Sequence, residues 1–504
     1  MKLRTAFFAV TALCTTACGG KRGTINLDIV VSQTLDPFFN AASARFTIGA
    51  VTKTSSVSGG HFTLSFDEKP PKIAVPLVVE ALDASGTVLG YGQTPPISLT
   101  AGGQNDSYGV WVGGPGTMNL AAPGAVLPNP RTDLAAFSSV GLGAMFAGGR
   151  GPDGTPVADC ALYDVYTNSV IAPNHMTSAR AGAAGVASAP QGVIFGGITT
   201  DGSAVATAEI FSPVGANGLG SWVPVPVNGA PPSPSAYAVG ILLGSGSQLI
   251  AGGADGAGEP INTATLVTTG ATGGSVGLTS TAPMQAARYH HAGAAAKFPD
   301  GAGGLFIGGI ADGAAGGTAE KFVGGSFAPV ALAGLPNLWD ATATTINMTT
   351  GVLVIGGTIP DPVTGVRRAT SNVYYIQTYP TTEPPVLVTS VSAVITARAG
   401  HTATMVGNDL LLCGGLGADG KLVTSCDILT ITGNVVSFKG KVNLAAPRRN
   451  HVAVQLQTGI VLIAGGINDQ GAPLGAIEIY TPDDGEQAAI NVANGTDVAV
   501  ASGR

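Results

Sequence analysis

Charged and aromatic residues are scarce in this 504-residue sequence, at 11% and 6% of the chain. No concentrated group of Lys and Arg occurs, and the formal net charge of −7 is opposite in sign to that of a phosphate-binding surface. Beyond the amino terminus, no apolar run approaches the roughly 18 residues that cross a bilayer as a helix. The sequence therefore predicts neither a nucleic-acid-binding protein nor internal membrane-spanning helices.

Motifs of common catalytic sites are also missing. No Gly-x-Ser-x-Gly turn, His-Glu-x-x-His pair or phosphate-binding loop occurs in a suitable setting. Several loops contain Asp-Gly, for example at Asp153 and Asp419, but none has the alternating oxygen ligands of a calcium loop, so we interpret them as turns. The sequence thus predicts no catalytic residue, no metal site and no cofactor.

Glycine, by contrast, is abundant, with 75 residues. Seven short apolar runs end in a Gly-Gly pair, and each run predicts a buried strand followed by a turn. The pairs recur every 48 to 58 residues, which is typical of a β-propeller rather than a solenoid. Their first glycines are Gly148, Gly196, Gly252, Gly308, Gly356, Gly414 and Gly465.

A second recurrent segment precedes each Gly-Gly run. It is most complete at 284–291, where His291 follows Arg288 by three residues, and an acidic, an apolar and an aromatic residue follow the last Gly-Gly at Glu478-Ile479-Tyr480. This order resembles the kelch repeat. The resemblance implies an all-β fold, a seven-bladed kelch-type β-propeller, over residues 113–485, with a carboxy-terminal tail at 486–504. Kelch propellers include binding modules, scaffolds and a few enzymes, so the resemblance specifies fold more than function.

An arginine and an acid occur together in four repeats and are both missing from two others. The third repeat has Ser235 and Thr265, and the fifth has Trp339 with no acid near Val373. Because a lone buried charge destabilises a fold strongly, we interpret the co-occurrence as bidentate structural ion pairs within each blade. The predicted pairs are Arg180 with Glu209, Arg288 with Glu320, Arg398 with Asp427, and Arg448 with Glu478.

The first repeat breaks this rule. It has Arg131, but Ala161 stands at the acid position, so Asp159 or Asp164 would have to be the partner.

Residues 24–112 have a different pattern. Apolar and polar residues alternate at 25–29 and 62–66, and a turn is predicted at 83–86. Six or seven such short strands predict an immunoglobulin-like β-sandwich. It would serve as a spacer that lifts the propeller off a membrane, or alternatively as a carbohydrate-binding domain.

Residues 1–17 have the composition of a secretory signal peptide, with a short basic region and an apolar stretch too short to span. The segment that ends at Cys18 resembles the lipobox of bacterial lipoproteins, which implies that Cys18 carries the lipid and that 18–23 form a tether. Gly19 after the cysteine implies delivery to the outer membrane. The alternative is an ordinary signal peptide that is cleaved nearby.

Besides Cys18, three cysteines follow the leader. Cys413 and Cys426 would face each other across one hairpin in the sixth repeat, so a disulfide is one of two outcomes there. Cys160 occupies the equivalent place in the first repeat and is predicted to be a buried free thiol. Two segments compete to complete the seventh blade, 116–121 near the amino terminus and 488–492 in the tail.

The predicted function is a non-catalytic binding or scaffold module for a protein or glycan of the cell envelope. Ligand contacts would lie on the variable loops, since loops on a rigid frame carry recognition. The candidates are Trp222, Trp339, Arg367 and Arg368; for Trp339, which stands in place of the blade arginine, packing in the core is the favoured interpretation.

The alternative is an enzyme. A β-sandwich followed by a seven-bladed kelch propeller resembles the copper radical oxidases of galactose-oxidase type, which act on alcohols or carbohydrates. The resemblance implies copper ligands at Tyr289 and His290 and a role for Cys160. That family's last histidine ligand comes from a domain after the propeller, and only about twenty residues follow here.

Overall fold

A computed structural model describes residues 8–13, 24–58, 74–97, 106–139, 141–188, 191–212, 220–226, 233–243, 247–269, 276–310, 319–346, 351–379, 385–388 and 394–483. In these residues every regular element is a β-strand except one 3₁₀ turn, Pro37–Asn40. The prediction of an all-β protein is confirmed. No helix within these ranges is long and apolar enough to cross a membrane.

Seven four-stranded antiparallel sheets, called ring sheets 1 to 7, account for the repeats in the described residues. The first three contain Ala135–Ser139, Gly143–Ala147, Cys160–Asp164 and Ser169–Ile171; Ala184–Ser188, Gln191–Phe195, Ala208–Ser212 and Ser221–Pro224; and Val239–Leu242, Gln248–Ala251, Ala264–Thr269 and Val276–Ser280. Ring sheets 4 and 5 contain Ala292–Phe298, Gly301–Ile307, Ala319–Val323 and Ser326–Val330; and Thr342–Ile346, Gly351–Ile355, Val373–Gln377 and Val386–Val388.

Ring sheets 6 and 7 complete the set. They contain Thr402–Val406, Asp409–Cys413, Ser425–Thr432 and Val435–Asn443; and Val452–Gln455, Val461–Ala464, Ile477–Thr481 and Thr117–Leu120. Ring sheet 5 also carries a small hairpin of Thr358–Pro360 and Arg367–Ala369 in the loop after its second strand.

The second strand of each ring sheet is the Gly-Gly run, and its residues are buried on both faces, as in Val461–Ala464. The following Gly465 has a φ of 67°, and a Cβ there would lie 2.5 Å from the Leu134 side chain of ring sheet 1. Only glycine allows both this conformation and this close approach. The diglycine therefore ends the strand and lets neighbouring sheets pack together.

The first strands of the ring sheets form a closed cycle of contacts. Each first strand contacts that of the next sheet, and Val452–Gln455 of ring sheet 7 contacts Ala135–Ser139 of ring sheet 1. Apolar side chains fill the space between successive sheets, for example Leu462 of ring sheet 7 and Phe146 of ring sheet 1 in one cluster. The arrangement is propeller-like, with the first strands innermost.

The amino-terminal strand Thr117–Leu120 closes the ring. It pairs antiparallel with Ile477–Thr481, with Glu478 opposite Leu120. The amino-terminal alternative is therefore confirmed, and the edge of Ile477–Thr481 is paired. The competing segment 488–492 and the rest of the predicted tail lie outside the described residues.

The preceding region forms two sheets. One contains Phe8–Leu13, Thr24–Val30 and Asp106–Trp111, and the other contains Val51–Ser56, Ser43–Ile48, Leu77–Leu82 and Val88–Gln93. Ile29 and Val110 of the first sheet share a core with Phe46 and Val79 of the second.

The turn predicted at 83–86 is confirmed, with the Asp83 carboxylate accepting the N–H of Ser85 and of Thr87. Residues 62–66, Cys18 and the tether lie outside the described residues. The strand Phe8–Leu13 belongs to the predicted signal peptide, whose cleavage stays a prediction.

Hydrogen bonds hold the amino-terminal region against ring sheets 1 and 7. The Trp111 indole N–H donates to the Thr481 hydroxyl at 3.1 Å, and the Asn168 amide donates to the Gly109 carbonyl at 2.9 Å. A side chain at Gly109 would collide with the backbone of Thr167. Close backbone approach at this joint orients the amino-terminal region relative to the ring.

Candidate functional site

The four predicted ion pairs are all in contact. The Nη2 to carboxylate-oxygen distance is 2.9 Å for Arg180–Glu209, Arg288–Glu320 and Arg448–Glu478, and 3.0 Å for Arg398–Asp427. All eight side chains are at most 2% exposed. Their burial indicates a structural role.

The pairs differ from the predicted bidentate geometry. In ring sheet 7, Oε1 of Glu478 accepts from Arg448, whereas Oε2 accepts the backbone N–H of Ala445. Nη1 of Arg448 donates instead to the carbonyls of Gly465 and Ala476. Desolvation lowers the pKa of Arg448, and Glu478 opposes that shift. Each pair therefore connects an entering loop to two strands, because both ions satisfy backbone groups as well as each other.

Ring sheet 5 corrects one assignment. The backbone bridge between Trp339 and Thr358 is equivalent to that between Arg449 and Ile467 in ring sheet 7, so Trp339 lies one residue after the arginine position. Leu338 occupies that position and is buried. The residue at the acid position is Tyr374, which is paired with Val354, rather than Val373. Leu338 and Tyr374 pack in one apolar cluster, so an apolar contact replaces the ion pair here.

Arg131 also differs from the prediction. Its Nη1 donates to the backbone carbonyls of Asp159 and Gly148. The Asp159 carboxylate contacts His175 and Asn129, and the Asp164 carboxylate accepts the N–H of Tyr166. The expectation that one of these carboxylates pairs directly with Arg131 is therefore wrong. Desolvation lowers the pKa of Arg131, and the nearby charge of Asp159 opposes the shift.

The cysteines lie where the repeat predicts them. Cys413 and Cys426 are opposite each other in register and form a disulfide. Cys160 is a buried free thiol, and burial raises its pKa to about 12. An unreactive thiol of this kind is a packing group.

Trp222 is not a surface ligand residue. It lies in the fourth strand of ring sheet 2, is 7% exposed, and packs against Phe137 and Phe211. The prediction that it lies in a binding loop is wrong, because its strand brings it into the core between ring sheets 1 and 2.

A ring of left-handed residues lies where the chain enters the innermost strands. In each ring sheet the residue two places after the arginine position has a φ between 54° and 64°. Backbone hydrogen bonds link neighbours around the ring, such as Gly182 N–H to the Asp133 carbonyl and Asp340 N–H to the His290 carbonyl. We call this set the entry ring; its members are Asp133, Gly182, Tyr237, His290, Asp340, Gly400 and Asn450.

Aromatic side chains from ring sheets 3 to 5 form a ladder at the entry ring. His290 stacks on Trp339, with ring centroids 5.4 Å apart and planes within 5°. The ring centroid of Tyr289 lies 3.9 Å from that of His290 and 6.0 Å from that of Tyr237. All four side chains are half-buried, so each keeps some exposed surface.

Polar groups accompany this ladder. His290 Nδ1 and a carboxylate oxygen of Asp340 are 2.7 Å apart. The Tyr237 hydroxyl lies 3.5 Å from the Asp133 carboxylate, which also pairs with Arg150 at 3.3 Å. Burial raises the pKa of Tyr289 to about 12, and the charges of Asp340 and Asp133 add to the shift. Tyr289 is therefore a neutral hydrogen-bonding group at physiological pH.

The hairpin of ring sheet 5 supplies one more member. The Arg367 guanidinium lies 4.3 Å from the centre of the Trp339 ring and donates to the carbonyls of Asn337 and Thr358. Arg368 is exposed on the same hairpin. Of the four candidate binding residues, the structure thus brings Trp339 and Arg367 together.

The residues implied by the copper-oxidase resemblance do not lie together. Tyr289 and His290 are in contact at the entry ring, whereas Cys160 packs in the core between ring sheets 1 and 2. In the part of the chain that the structure describes, no three His, Cys, Asp or Glu side chains form a cluster that could hold a metal ion.

Sequence reasoning missed Tyr237, Asp340 and the carboxylate of Asp133. A signal was available, because the position two after the arginine is glycine in two repeats and polar or aromatic in five. A comparison of the repeats at that position would have found the entry ring.

Comparisons with known proteins identify no family for this chain. No protein-family model matches the sequence, and no curated protein is significantly similar to it.

Proposed function

We propose that this chain is a lipoprotein of the cell envelope whose seven-bladed, kelch-type propeller acts as a non-catalytic binding or scaffold module. Its partner would be a protein or a glycan of the envelope. Lipid at Cys18 would anchor it to the outer membrane, which is the destination that Gly19 implies.

The observation that carries the binding proposal is the entry ring with its aromatic ladder. A rigid frame of buried ion pairs surrounds a partly exposed group of Tyr237, Tyr289, His290 and Trp339. Aromatic side chains with polar groups among them are typical of recognition sites on loops of a rigid scaffold. The closed cycle of contacts among the ring sheets supports the seven-bladed arrangement.

The amino-terminal region would be an immunoglobulin-like spacer. Its two sheets share one apolar core, and its last strand leads directly to the strand that closes the ring. The hydrogen bonds of Trp111 and Asn168 to neighbouring parts support a fixed orientation. Such a joint would present the propeller at a defined distance from the membrane.

Two measurements test this function. Metabolic labelling with palmitate should mark the parent protein and leave a Cys18→Ser variant unlabelled. A pull-down from envelope extract with the purified protein as bait should capture a protein or glycan. The amount captured should fall when the bait is a Tyr237→Ala variant. Labelling of the variant, or capture of nothing by the parent, would contradict the corresponding half of the proposal.

The oxidase alternative makes different predictions. It requires bound copper, for which Tyr289 and His290 are the adjacent candidate ligands, and release of hydrogen peroxide from primary alcohols. Elemental analysis after loading with copper, followed by a peroxide assay, separates it from the binding module. Stoichiometric copper that is lost in a His290→Ala variant would favour the oxidase.

A further inference from the structure

We infer that the entry ring binds a neutral saccharide, which would make a glycan rather than a protein the partner of the proposed binding module. This inference rests on the proposed function and specifies the ligand of that site. Four observations carry it: the conformation of the ring residues, their aromatic surface, their hydrogen-bonding groups and the recess beside Gly400.

The backbone conformation of the entry ring is one that a bulky aromatic side chain disfavours. Every entry-ring position has a left-handed φ, and glycine, which adopts it freely, is present at Gly182 and Gly400. Tyr237 adopts the same φ although bulky aromatic residues are disfavoured there. Bulky side chains at strained positions are a reason to look for a functional role.

The aromatic side chains provide apolar surface of limited size. Tyr237 lies over Gly182, where a Cβ would come within 2.1 Å of its ring, so the glycine makes room for the tyrosine. Together with Tyr289, His290 and Trp339 it forms one half-buried wall on ring sheets 3 to 5. Rings of this kind pack against the C–H faces of a sugar while their polar edges remain available.

The hydrogen-bonding groups suit hydroxyls. Carboxylates of Asp340 and Asp133 accept hydrogen bonds, while Arg150 and the Tyr289 hydroxyl can donate them. Asp133 is already paired with Arg150, and Asp340 is already hydrogen-bonded to His290, so each carboxylate has a partner in the protein. A neutral ligand with many hydroxyls matches this set better than an ion does.

Space for a side chain lies beside Gly400, and we call it the recess. A Cβ at Gly400 would have only Asn450 Oδ1 within 4 Å, at 3.0 Å. That oxygen is buried and has no hydrogen-bond partner among the described residues. Buried acceptors are normally satisfied, so this atom is a candidate to accept a hydroxyl from a bound ligand.

A protein partner fits less well. A stable protein interface buries about 800 Å² on each side, and it usually centres on exposed apolar anchors. Among the described residues, the large hydrophobic side chains that are strongly exposed include Val363 and Val366 at the hairpin tip, but none belongs to the entry ring. The compact wall beside small residues is better matched to one or two sugar units.

The test uses Trp339 as a reporter. The chain has three tryptophans, and Trp111 and Trp222 are buried, so acrylamide quenching of the fluorescence mainly reports Trp339. The full-length mature protein is titrated with cellohexaose, xylohexaose, maltohexaose and chitohexaose. We expect at least one of them to protect Trp339 from acrylamide and to show saturable binding by calorimetry.

Variants locate the binding. Asp340→Asn, which keeps the side-chain shape, and Gly400→Ala, which fills the recess, should each weaken the affinity at least tenfold. Asp419→Ala is the matched control on an exposed loop of ring sheet 6, and Phe39→Ser is the control for binding by the amino-terminal region; both should bind as the parent does. Circular dichroism and thermal unfolding check that each variant is folded.

Two results would overturn the inference. One is that none of the four hexasaccharides protects Trp339, and the other is that affinity is unchanged in both entry-ring variants. If envelope extract still yields a captured protein in either case, the proposed binding function stands and only the saccharide assignment falls. If neither sugars nor extract components bind, both fall.

Discussion

Arg448 and Glu478 lie 2.9 Å apart with neither side chain exposed, and they join the loop that enters ring sheet 7 to the third strand of that sheet. The same relationship recurs in ring sheets 2, 4 and 6. Ring sheet 5 has an apolar contact of Leu338 and Tyr374 at the equivalent positions. The fold therefore accepts both solutions, and ring sheet 1 has a third, in which backbone carbonyls accept from Arg131 without a paired carboxylate.

Removing one member of this pair should destabilise the protein more than removing both. We expect Glu478→Ala to lower the free energy of unfolding by about 3–5 kcal/mol, because it leaves the Arg448 charge buried and alone. Adding Arg448→Leu, the residue found in ring sheet 5, should restore part of that loss. Urea unfolding of the two variants measures the difference. An equal or greater loss in the double variant would show that the charge is not the cause.

The disulfide should be detectable by differential alkylation. Cys413 and Cys426 should resist alkylation in urea until a reductant is added, whereas Cys160 should react in urea without one. Replacing both disulfide cysteines by Ala should lower the free energy of unfolding by about 3 kcal/mol, the value that loop closure predicts for a short loop. Alkylation of Cys413 in urea without reductant would contradict the bond. Cys160 is the internal control, because its raised pKa and burial keep it unreactive in the folded protein.

Three buried histidines should make the fold sensitive to acid. Each contacts the preceding ring sheet through Nε2: His291 the Ala251 carbonyl, His401 the Thr342 hydroxyl and His451 the Thr402 hydroxyl. Desolvation lowers the pKa of His291 and of His451 to about 3, and that of His401 well below its usual value.

Because these histidines stay neutral in the folded state, the unfolded chain binds protons first as the pH falls below about 6.5. Stability should therefore be lost between that pH and about 3, by about 1.4 kcal/mol per histidine for each pH unit. Urea unfolding at pH 7, 6 and 5 should show a smaller slope for His451→Gln than for the parent. His175→Gln is the control, since its side chain is 68% exposed. An identical slope in His451→Gln would rule out this cause.

The closing strand should be essential for the ring. A chain that begins at residue 122 lacks Thr117–Leu120 and leaves the edge of Ile477–Thr481 unpaired. We expect it to unfold at lower temperature and to aggregate, because an uncovered strand edge pairs with other chains. A chain that begins at residue 114 keeps the strand and is the matched control. Equal melting temperatures and equal solubility of the two chains would mean that the strand is dispensable.

The residues that the sequence misassigns have one thing in common: their contacts are made in the tertiary structure. The sequence alone places Trp339 in the arginine position, because the fifth repeat has neither arginine nor acid to fix the alignment, and a shift of one residue changes its role. The sequence alone places Trp222 in a connecting segment, because the strand that holds it, Ser221–Pro224, has only four residues. Arg131 was expected to need a carboxylate, but backbone carbonyls serve it. Local sequence does not show these contacts.

The sequence by itself determined the all-β class, the repeat of strands and turns, the four ion pairs and the opposing cysteines. These features depend on residues within one repeat, where spacing along neighbouring strands fixes which side chains meet. Tertiary structure decided which strand closes the ring and how Tyr237, His290, Asp340 and Asn450 come together. Those contacts join residues from different repeats, and their geometry depends on how the sheets pack around the centre, which no single repeat encodes.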